Sequence, residues 1–418
     1  MANTLKFGNG LWATQEGSTL AYNDENGNYK PLPFEFERDT NATVVNKNGL
    51  IETVGNNIPR IDFQGNNKGA LLLEPERTNL VPYSEDISDN SWTKTGLSVT
   101  SNNTKSPDGN QNADLIVENS SNSQHFIGNA LSLTSGNSYS VSVYAKKKER
   151  SVLQISPSSS HIASAYANYD LDLGVVSATG GSVTAEIEYL LNDWYRCILK
   201  FTPTSTATAS LAFFMQTSPL SLRGAPYQGN GTNGFYMWGA QVEEADYPTS
   251  YIPTSGSAVT RAADSCNNGG NDQVINSEEG VLYLEAKIKS DSNSSINSIG
   301  ISNGTDSNRL SIIMYGNSDL IRSNMNVSGV IQFDFQSYGN IPEQYYKIAV
   351  SYKQNDCKLF INGVKVDTDI SATMPPLATF DRLNLDIGDN LYDFYGYIKD
   401  LKLYNTALTD AELQALTS

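Results

Sequence analysis

Residues 138–147 read SYSVSVYAKK. In an extended chain successive side chains point to opposite faces, so Tyr139, Val141, Val143 and Ala145 share one face, while Ser140, Ser142 and Tyr144 share the other. A period of two is the mark of a half-buried β-strand. The same period returns in WYRCILKF, residues 194–201. There Trp194, Arg196, Ile198 and Lys200 oppose Tyr195, Cys197, Leu199 and Phe201. Cys197 therefore reads as a small buried hydrophobe on an apolar face.

Working outward, segments of this kind recur between residues 81 and 262: ADLIVEN, VLQISP, ANYDLDL, VTAEIEYL, ASLAFFMQ and GFYMWGAQVEE. Turn signals separate them every 8–12 residues or so, as a sandwich requires. A second series fills residues 263–418, with GVLYLEAKIKS, INSIGISN, RLSIIMYG, VIQFDFQS, YYKIAVSYKQ, CKLFINGVKV, RLNLDIGD and GYIKDLKLYN. The polar stretch SCNNGGNDQVIN leads into it. The chain closes on TALTDAELQALTS, where Thr409 and Glu412 predict a capping box and one short helix. The fold class expected is all-β, two successive sandwiches.

Residues 1–80 are less regular. ATVVNKNGLIETV predicts two strands around Asn48-Gly49. Ahead of it Phe7, Trp12, Tyr22, Tyr29, Phe34 and Phe36 need burial, either on the next domain or on a partner.

Composition agrees with this reading. Among 418 residues there are 23 Tyr, 14 Phe, 32 Gly and 15 Pro, a mixture that favours strands joined by turns. The net charge of −17 argues against nucleic acid, whose phosphates call for basic patches. The run Lys146-Lys147-Lys148 with Arg150 is the one basic cluster in sequence, and it reads as a solvated hairpin tip. Three distant cysteines and two histidines supply neither a disulfide framework nor a zinc cluster. The N-terminal MANTLKFGNGLW has no secretory-signal pattern, and no apolar run reaches the ~20 residues that span a bilayer. Assembly in a reducing cytoplasm and release by lysis, inside a virus particle, is the expectation.

Two stretches carry a resemblance. GALLLEPERTNLVPYSEDISDNSWTKTG (69–96) and GFYMWGAQVEEADYPTSYIPTSGSAVTRAAD (234–264) resemble the opening and closing signatures of a module common in tailed-bacteriophage structural proteins. That module is related to jelly-roll carbohydrate-binding modules. YYKIAVSYKQNDCKLFINGVKV and GYIKDLKLYNTALTDAELQAL resemble the concanavalin-A-like, laminin-G-like lectins. The resemblance implies a jelly roll over 69–264, a concanavalin-A-like domain over 265–418 and an irregular attachment segment over 1–68.

Catalysis has little support in the sequence. His125 and His161 lie in loop-like or edge contexts without a Gly-x-Ser-x-Gly elbow and read as surface residues. Glu243-Glu244 follows a strand in a stretch whose resemblance implies binding. The expectation is a non-enzyme. Related jelly rolls hold a structural calcium where Asp108, Gly109 and Asp114 stand here, and Glu243 or Glu244 from the closing strand completes that set; an ordinary Asp-Gly turn is the alternative. Asp386, Asp389 and Asn390 form a weaker set. Sugar binding needs flat aromatic faces beside polar groups. Trp92, Tyr144, Tyr166 and Tyr169 are the candidates, whereas Trp194 and Trp238 read as core.

The function expected is a virion structural protein of a bacteriophage (tail fibre, spike, or head fibre or decoration) that presents lectin-like domains to host-surface glycans. Residues 1–68 would dock on other virion proteins, and homo-oligomers are expected, with no membrane insertion. The alternatives are a purely architectural capsid or tail subunit and a polysaccharide-degrading enzyme.

Overall fold

The computed structural model describes residues 34–289, 296–339, 344–389 and 391–418, together with the backbone of strands Thr4–Gly8, Trp12–Thr14, Leu20–Asn23 and Tyr29–Pro31. The side chains of Phe7, Trp12, Tyr22 and Tyr29 lie outside the described residues. The chain is all-β with one C-terminal helix, as its alternation predicts.

Two compact units divide the chain. An inserted unit comprises residues 48–53 and 77–261. A flanking unit is assembled from residues 1–47, 54–76 and 262–418.

The inserted unit stacks two six-stranded antiparallel sheets. One runs in the order Trp92–Thr95, Phe126–Leu133, Ala207–Gln216, Val152–Pro157, Tyr166–Asp170, Val175–Gly180. The other runs Leu97–Thr104, Ala113–Glu118, Gly234–Glu243, Tyr139–Lys147, Tyr195–Phe201, Val183–Tyr189. Val141, Val143, Cys197, Leu199, Met237 and Val242 from the second sheet meet Ile127, Leu153, Ile155, Phe213 and Met215 from the first in one core. Strand Tyr139–Lys147 thus keeps the two faces read from its sequence.

The flanking unit is a second sandwich. Its larger sheet follows the order Val364–Asp369, Cys357–Ile361, Tyr346–Lys353, Glu279–Ile288, Gly396–Tyr404, Ala70–Leu73, Arg60–Asp62, and Thr4–Gly8 also pairs with Gly396–Tyr404. The facing sheet runs Val330–Tyr338, Leu320–Val327, Arg309–Tyr315, Ile296–Ser302, Arg382–Asn384. Leu282, Leu284, Ile348, Val350 and Leu401 pack between them on Ile299, Leu310, Ile312 and Phe333. The helix Asp410–Thr417 carries the predicted Thr409–Glu412 capping box and seats Leu413 on Tyr283, Ala349 and Phe360.

These units correct the borders expected from sequence. Residues 34–68 are not a free attachment segment. Phe34 and Phe36 lie in the flanking core. Gly269 admits the Phe34 ring, since a Cβ there would come within 2.4 Å of it. The 69–96 signature is itself shared out. Its ALLL strand pairs with Gly396–Ile398 of the flanking sheet, while Arg77–Asn79 pairs with Val259–Arg261 in the inserted unit.

Where the flanking unit gives way to the insertion, four charged side chains are buried together. Arg38 donates to Asp264 at 3.0 Å, and Arg60 donates to Glu74 at 2.7 Å and also to Asp264. Arg38 further donates to the carbonyls of Thr40 (2.8 Å) and Gly55 (2.6 Å), and the Glu74 amide donates to Asp264 at 2.7 Å. Buried charges are tolerated only when paired and hydrogen-bonded in this way. Removing one partner of such a set costs about 3–5 kcal/mol.

Candidate functional site

Three of the four aromatics proposed for sugar stacking are buried. Trp92 is in the core and donates its indole N–H to the Tyr83 carbonyl at 2.9 Å. Tyr169 is also in the core, its hydroxyl donating to Ile198. Tyr144 does point to the outer face of its sheet, but the chain returns over it. Tyr251 meets its ring edge-on at 6.1 Å, and Trp238 lies 5.5 Å away. A bulge makes this packing possible. Ser142 pairs with Gln241 and Tyr144 with Trp238, which leaves an extra residue at Gly239–Ala240. Gly239 takes φ +66°, and a Cβ there would approach Tyr144 to 2.9 Å. Tyr166 is half-buried, its ring lying against Gly180.

The calcium set also fails to assemble. Asp114 pairs with Met237 across the sheet, six positions before Glu243 on the same strand, which is about 20 Å of extended chain. Glu243 is fully buried and accepts from the Thr249 amide (2.8 Å), the Thr249 hydroxyl (2.5 Å) and Gln241 (2.9 Å). Asp108 closes its own turn, accepting from the Asn110 amide at 2.8 Å. The three residues therefore do not fit a shared ion. Among the described residues no three acidic, histidine or cysteine side chains gather in a metal-holding cluster. Asn390 lies outside the described residues. Asp386 is buried, which pushes its carboxyl up to about 6, and one of its oxygens has no hydrogen-bond partner.

Asp108 and Asp114 nevertheless stand beside an acidic groove of about 320 Å³ lined by Tyr83, Glu85, Asp86, Asn102, Asn112 and Asp114. Asn112 bridges Glu85 (3.2 Å) and Asp108 (3.1 Å). Asp114 accepts from the amides of Ile87 and Asn102, each at 2.9 Å. Burial outweighs those bonds and lifts its carboxyl to about 6.

Both histidines are buried rather than on the surface. His125 packs against Tyr227 with ring centroids 4.4 Å apart and planes tilted by 34°, with Glu118 and Arg150 as charged neighbours, and burial lowers its pKa. The Nε2 of His161 lies 3.2 Å from the Ala209 carbonyl.

The concave feature that sequence reading missed is a cleft of about 600 Å³ in the inserted unit. Three loops build it: Asn48–Leu50, Thr104–Gly109 and Leu190–Trp194, with Lys146 at the side. Trp194 is only 2% exposed, and its indole N–H donates to the Lys105 carbonyl at 3.2 Å. Leu191 stands 42% exposed, and Lys146 donates to the Asn192 carbonyl at 2.7 Å. Asn192 and Asp193 take consecutive left-handed conformations, φ 60° and 62°. Non-glycine residues adopt these at a cost, and such strain clusters at ligand sites. A cleft of this volume that mixes apolar walls with a few polar groups has the form of a small-ligand site.

With this geometry, part of the flanking unit can be compared with a known family. Residues 281–414, about a third of the chain, match the family model of the Concanavalin A-like lectin/glucanases superfamily. No curated protein matches the chain. Among solved structures, the chain is similar to the Ruminococcus gnavus IT-sialidase CBM40 bound to alpha2,3 sialyllactose, at 19% identity over 36% of this chain and 94% of that one, with a TM-score of 0.31. It is also similar to Domain 4 of AbnA, a GH43 extracellular arabinanase from Geobacillus stearothermophilus in complex with arabinotriose, at 17% identity over 41% and 83%, with a TM-score of 0.31. A heptameric SAP-like pentraxin from Limulus polyphemus follows at 11% identity over 36% and 74%, with a TM-score of 0.29.

Proposed function

We propose that this chain is a glycan-binding adhesion protein of a bacteriophage particle, a fibre, spike or head-decoration subunit that catalyses nothing. The observation that supports the binding part is the match of residues 281–414 to the Concanavalin A-like lectin/glucanases superfamily. The cleft around Trp194 supports it from the inserted unit. A sugar ring needs an apolar wall and hydrogen-bonding groups at its edge. Leu191 and Leu50 supply the wall, and Lys146, Ser106 and Asn192 supply the edge. The particle origin rests on the resemblance of residues 69–96 and 234–264. Attachment to other virion proteins is not assigned to residues 34–68, since 34–47 and 54–68 belong to the flanking unit and 48–53 to the inserted one.

A glycan array probed with the whole chain tests this. Binding is expected, with Leu191→Asp weakening it about tenfold, equal to ~1.4 kcal/mol. An empty array with correctly folded protein sinks the adhesion reading. Release of reducing ends from any bound polysaccharide sinks the non-enzyme reading.

A second, architectural reading draws on the edge strands Val330–Tyr338 and Val364–Asp369. Val330, Ile331 and Val364 stand 61%, 56% and 62% exposed on them. Unpaired edges with apolar side chains invite subunit contacts.

A further inference from the structure

The open end of the inserted sandwich carries a second candidate site. The two-residue period of its strands sets it apart from the Trp194 cleft. Lys146 lines that cleft, whereas Lys147 reaches the other side of the sheet and pairs with Asp172. Tyr195 pairs with Ala145, and Tyr189 with Tyr195, so both tyrosines share the core side of the sheet with Lys147. Tyr195 is half-buried against the core, and its ring stands 5.5 Å from that of Tyr189 with the planes at 67°. Tyr189 is left 60% exposed. From the facing sheet, the turn between strands Tyr166–Asp170 and Val175–Gly180 closes on the same place. Asp170 fixes that turn. Its carboxylate accepts from the amides of Asp172 (2.9 Å) and Leu173 (3.3 Å), and its carbonyl accepts from Gly174 (2.8 Å). Gly174 takes φ +66°, and a Cβ there would come within 2.7 Å of the Tyr195 ring. Leu173 is held 73% exposed beside it, and Val175 is exposed too.

Large apolar side chains grouped in water mark an interaction site. This group is small. Leu173, Val175 and Tyr189 offer on the order of 300 Å² of apolar surface, against the ~800 Å² per partner of a stable protein interface. It suits a sugar ring better than a second copy of the chain. Charge narrows the ligand further. Lys147 and Asp172 neutralise each other, and Asp193 is a further negative charge acting on the same ammonium. Such a rim repels carboxylates and sulfates, yet it accepts from and donates to hydroxyls. We propose that Tyr189, Tyr195 and Leu173, with Lys147 and Asp172 at the rim, form a binding site for a neutral polysaccharide of hexopyranose units. Tyr189 receives the CH face of a sugar ring, braced from behind by Tyr195, and Leu173 covers its flank. Asp172 accepts from ring hydroxyls, and Lys147 donates to their oxygens. The turn and the hairpin are already set, so little ordering entropy opposes binding. This inference rests on the glycan-binding reading for its ligand class, but uses a different face from the Trp194 cleft.

Affinity electrophoresis of the whole chain in gels containing dextran, laminarin, mannan or polygalacturonate tests the assignment. Retardation by at least one of the three neutral polymers is expected, with none by polygalacturonate. Tyr189→Ala and Leu173→Asp should each weaken it at least fivefold, and Tyr189→Phe should keep it. Tyr338→Ala, which removes an exposed tyrosine from the flanking unit, should leave it unchanged. If Tyr189→Ala disturbs the fold, Leu173→Asp alone decides the matter. Neutral retardation that survives both Tyr189→Ala and Leu173→Asp would put the sugar elsewhere and overturn this site, leaving the adhesion reading standing. Retardation by polygalacturonate as strong as by the neutral polymers overturns the neutral-sugar assignment. No retardation by any neutral polymer also overturns the site, while acidic hits on the glycan array would leave the adhesion reading in place.

Discussion

The inserted and flanking units are both antiparallel two-sheet sandwiches, yet they protect their outer faces by different means. The inserted unit uses its own chain and mostly neutral polar groups. Gln154 accepts from the Gly224 amide at 2.6 Å, and Asn168 donates to the carbonyls of Pro219 (3.0 Å) and Ser221 (2.7 Å). On its other sheet, Gln241 accepts from the Ile252 amide at 2.7 Å. The straps reach the strands they cover from 11 to 70 residues away in sequence. The flanking unit has to bring together three separate stretches, and it does so with the Arg38–Asp264–Arg60–Glu74 cluster. Ion pairs of this kind are costly to bury but selective about partners. The contrast teaches that one sandwich can be closed mostly by neutral hydrogen bonds, whereas the one assembled from three stretches is closed by charges that recognise each other across the chain.

The largest test of that contrast separates the units. A polypeptide of residues 77–261 should fold cooperatively. One of residues 262–418 should not, because it lacks strands Arg60–Asp62 and Ala70–Leu73 and leaves Asp264 without its guanidinium partners. Near-ultraviolet circular dichroism during thermal melting distinguishes the two. A cooperative transition from 262–418 alone breaks the comparison.

Next in size is Asp264→Ala in the whole chain. It takes from Arg38 its carboxylate partner and leaves Arg60 with Glu74 alone, and about 3–5 kcal/mol should be lost from the flanking transition alone. Calorimetry should show the inserted unit's transition in place. A loss below about 1 kcal/mol would reduce the cluster to incidental packing.

The smallest effect sharpens the comparison through pH. Asp114 in the inserted unit has its carboxyl raised from 3.8 to about 6. Between those values the folded chain holds more protons than the unfolded chain, so stability falls as pH rises from about 4 to 6. Asp386 imposes the same slope on the flanking unit. Asp114→Asn should flatten the slope of the inserted transition and leave the flanking one unchanged. Melting temperatures at pH 4 and pH 7 measure it, and an unaltered inserted slope refutes the assignment.

The strands were legible because alternation is a local property, and Tyr139–Lys147 or Tyr195–Phe201 state their faces within a few residues. The C-terminal helix was legible for the same reason, since Thr409 and Glu412 sit one turn apart. What alternation could not reveal is what returns to cover an outer face. Tyr144 was assigned to the correct side of its sheet, but Tyr251 arrives over it from more than a hundred residues away. The proposed calcium set failed on register, because Asp114 and Glu243 reach neighbouring strands at positions far apart along them. The Arg38–Asp264 pair spans 226 residues, and no local pattern marks it. The Trp194 cleft was missed because its walls come from three loops, and its strained Asn192–Asp193 pair is visible only as backbone geometry.

The pairing of Ala70–Leu73 with Gly396–Ile398 also sets a timetable for synthesis. On a ribosome the apolar ALLL strand emerges first, and its partner is made about 320 residues later. At about 5–20 residues per second the wait lasts tens of seconds. The inserted unit is complete by residue 261 and can fold within that interval. The early strand meanwhile shows an unpaired apolar edge to everything else in the cell, so slower translation lengthens the period in which this protein is most open to aggregation.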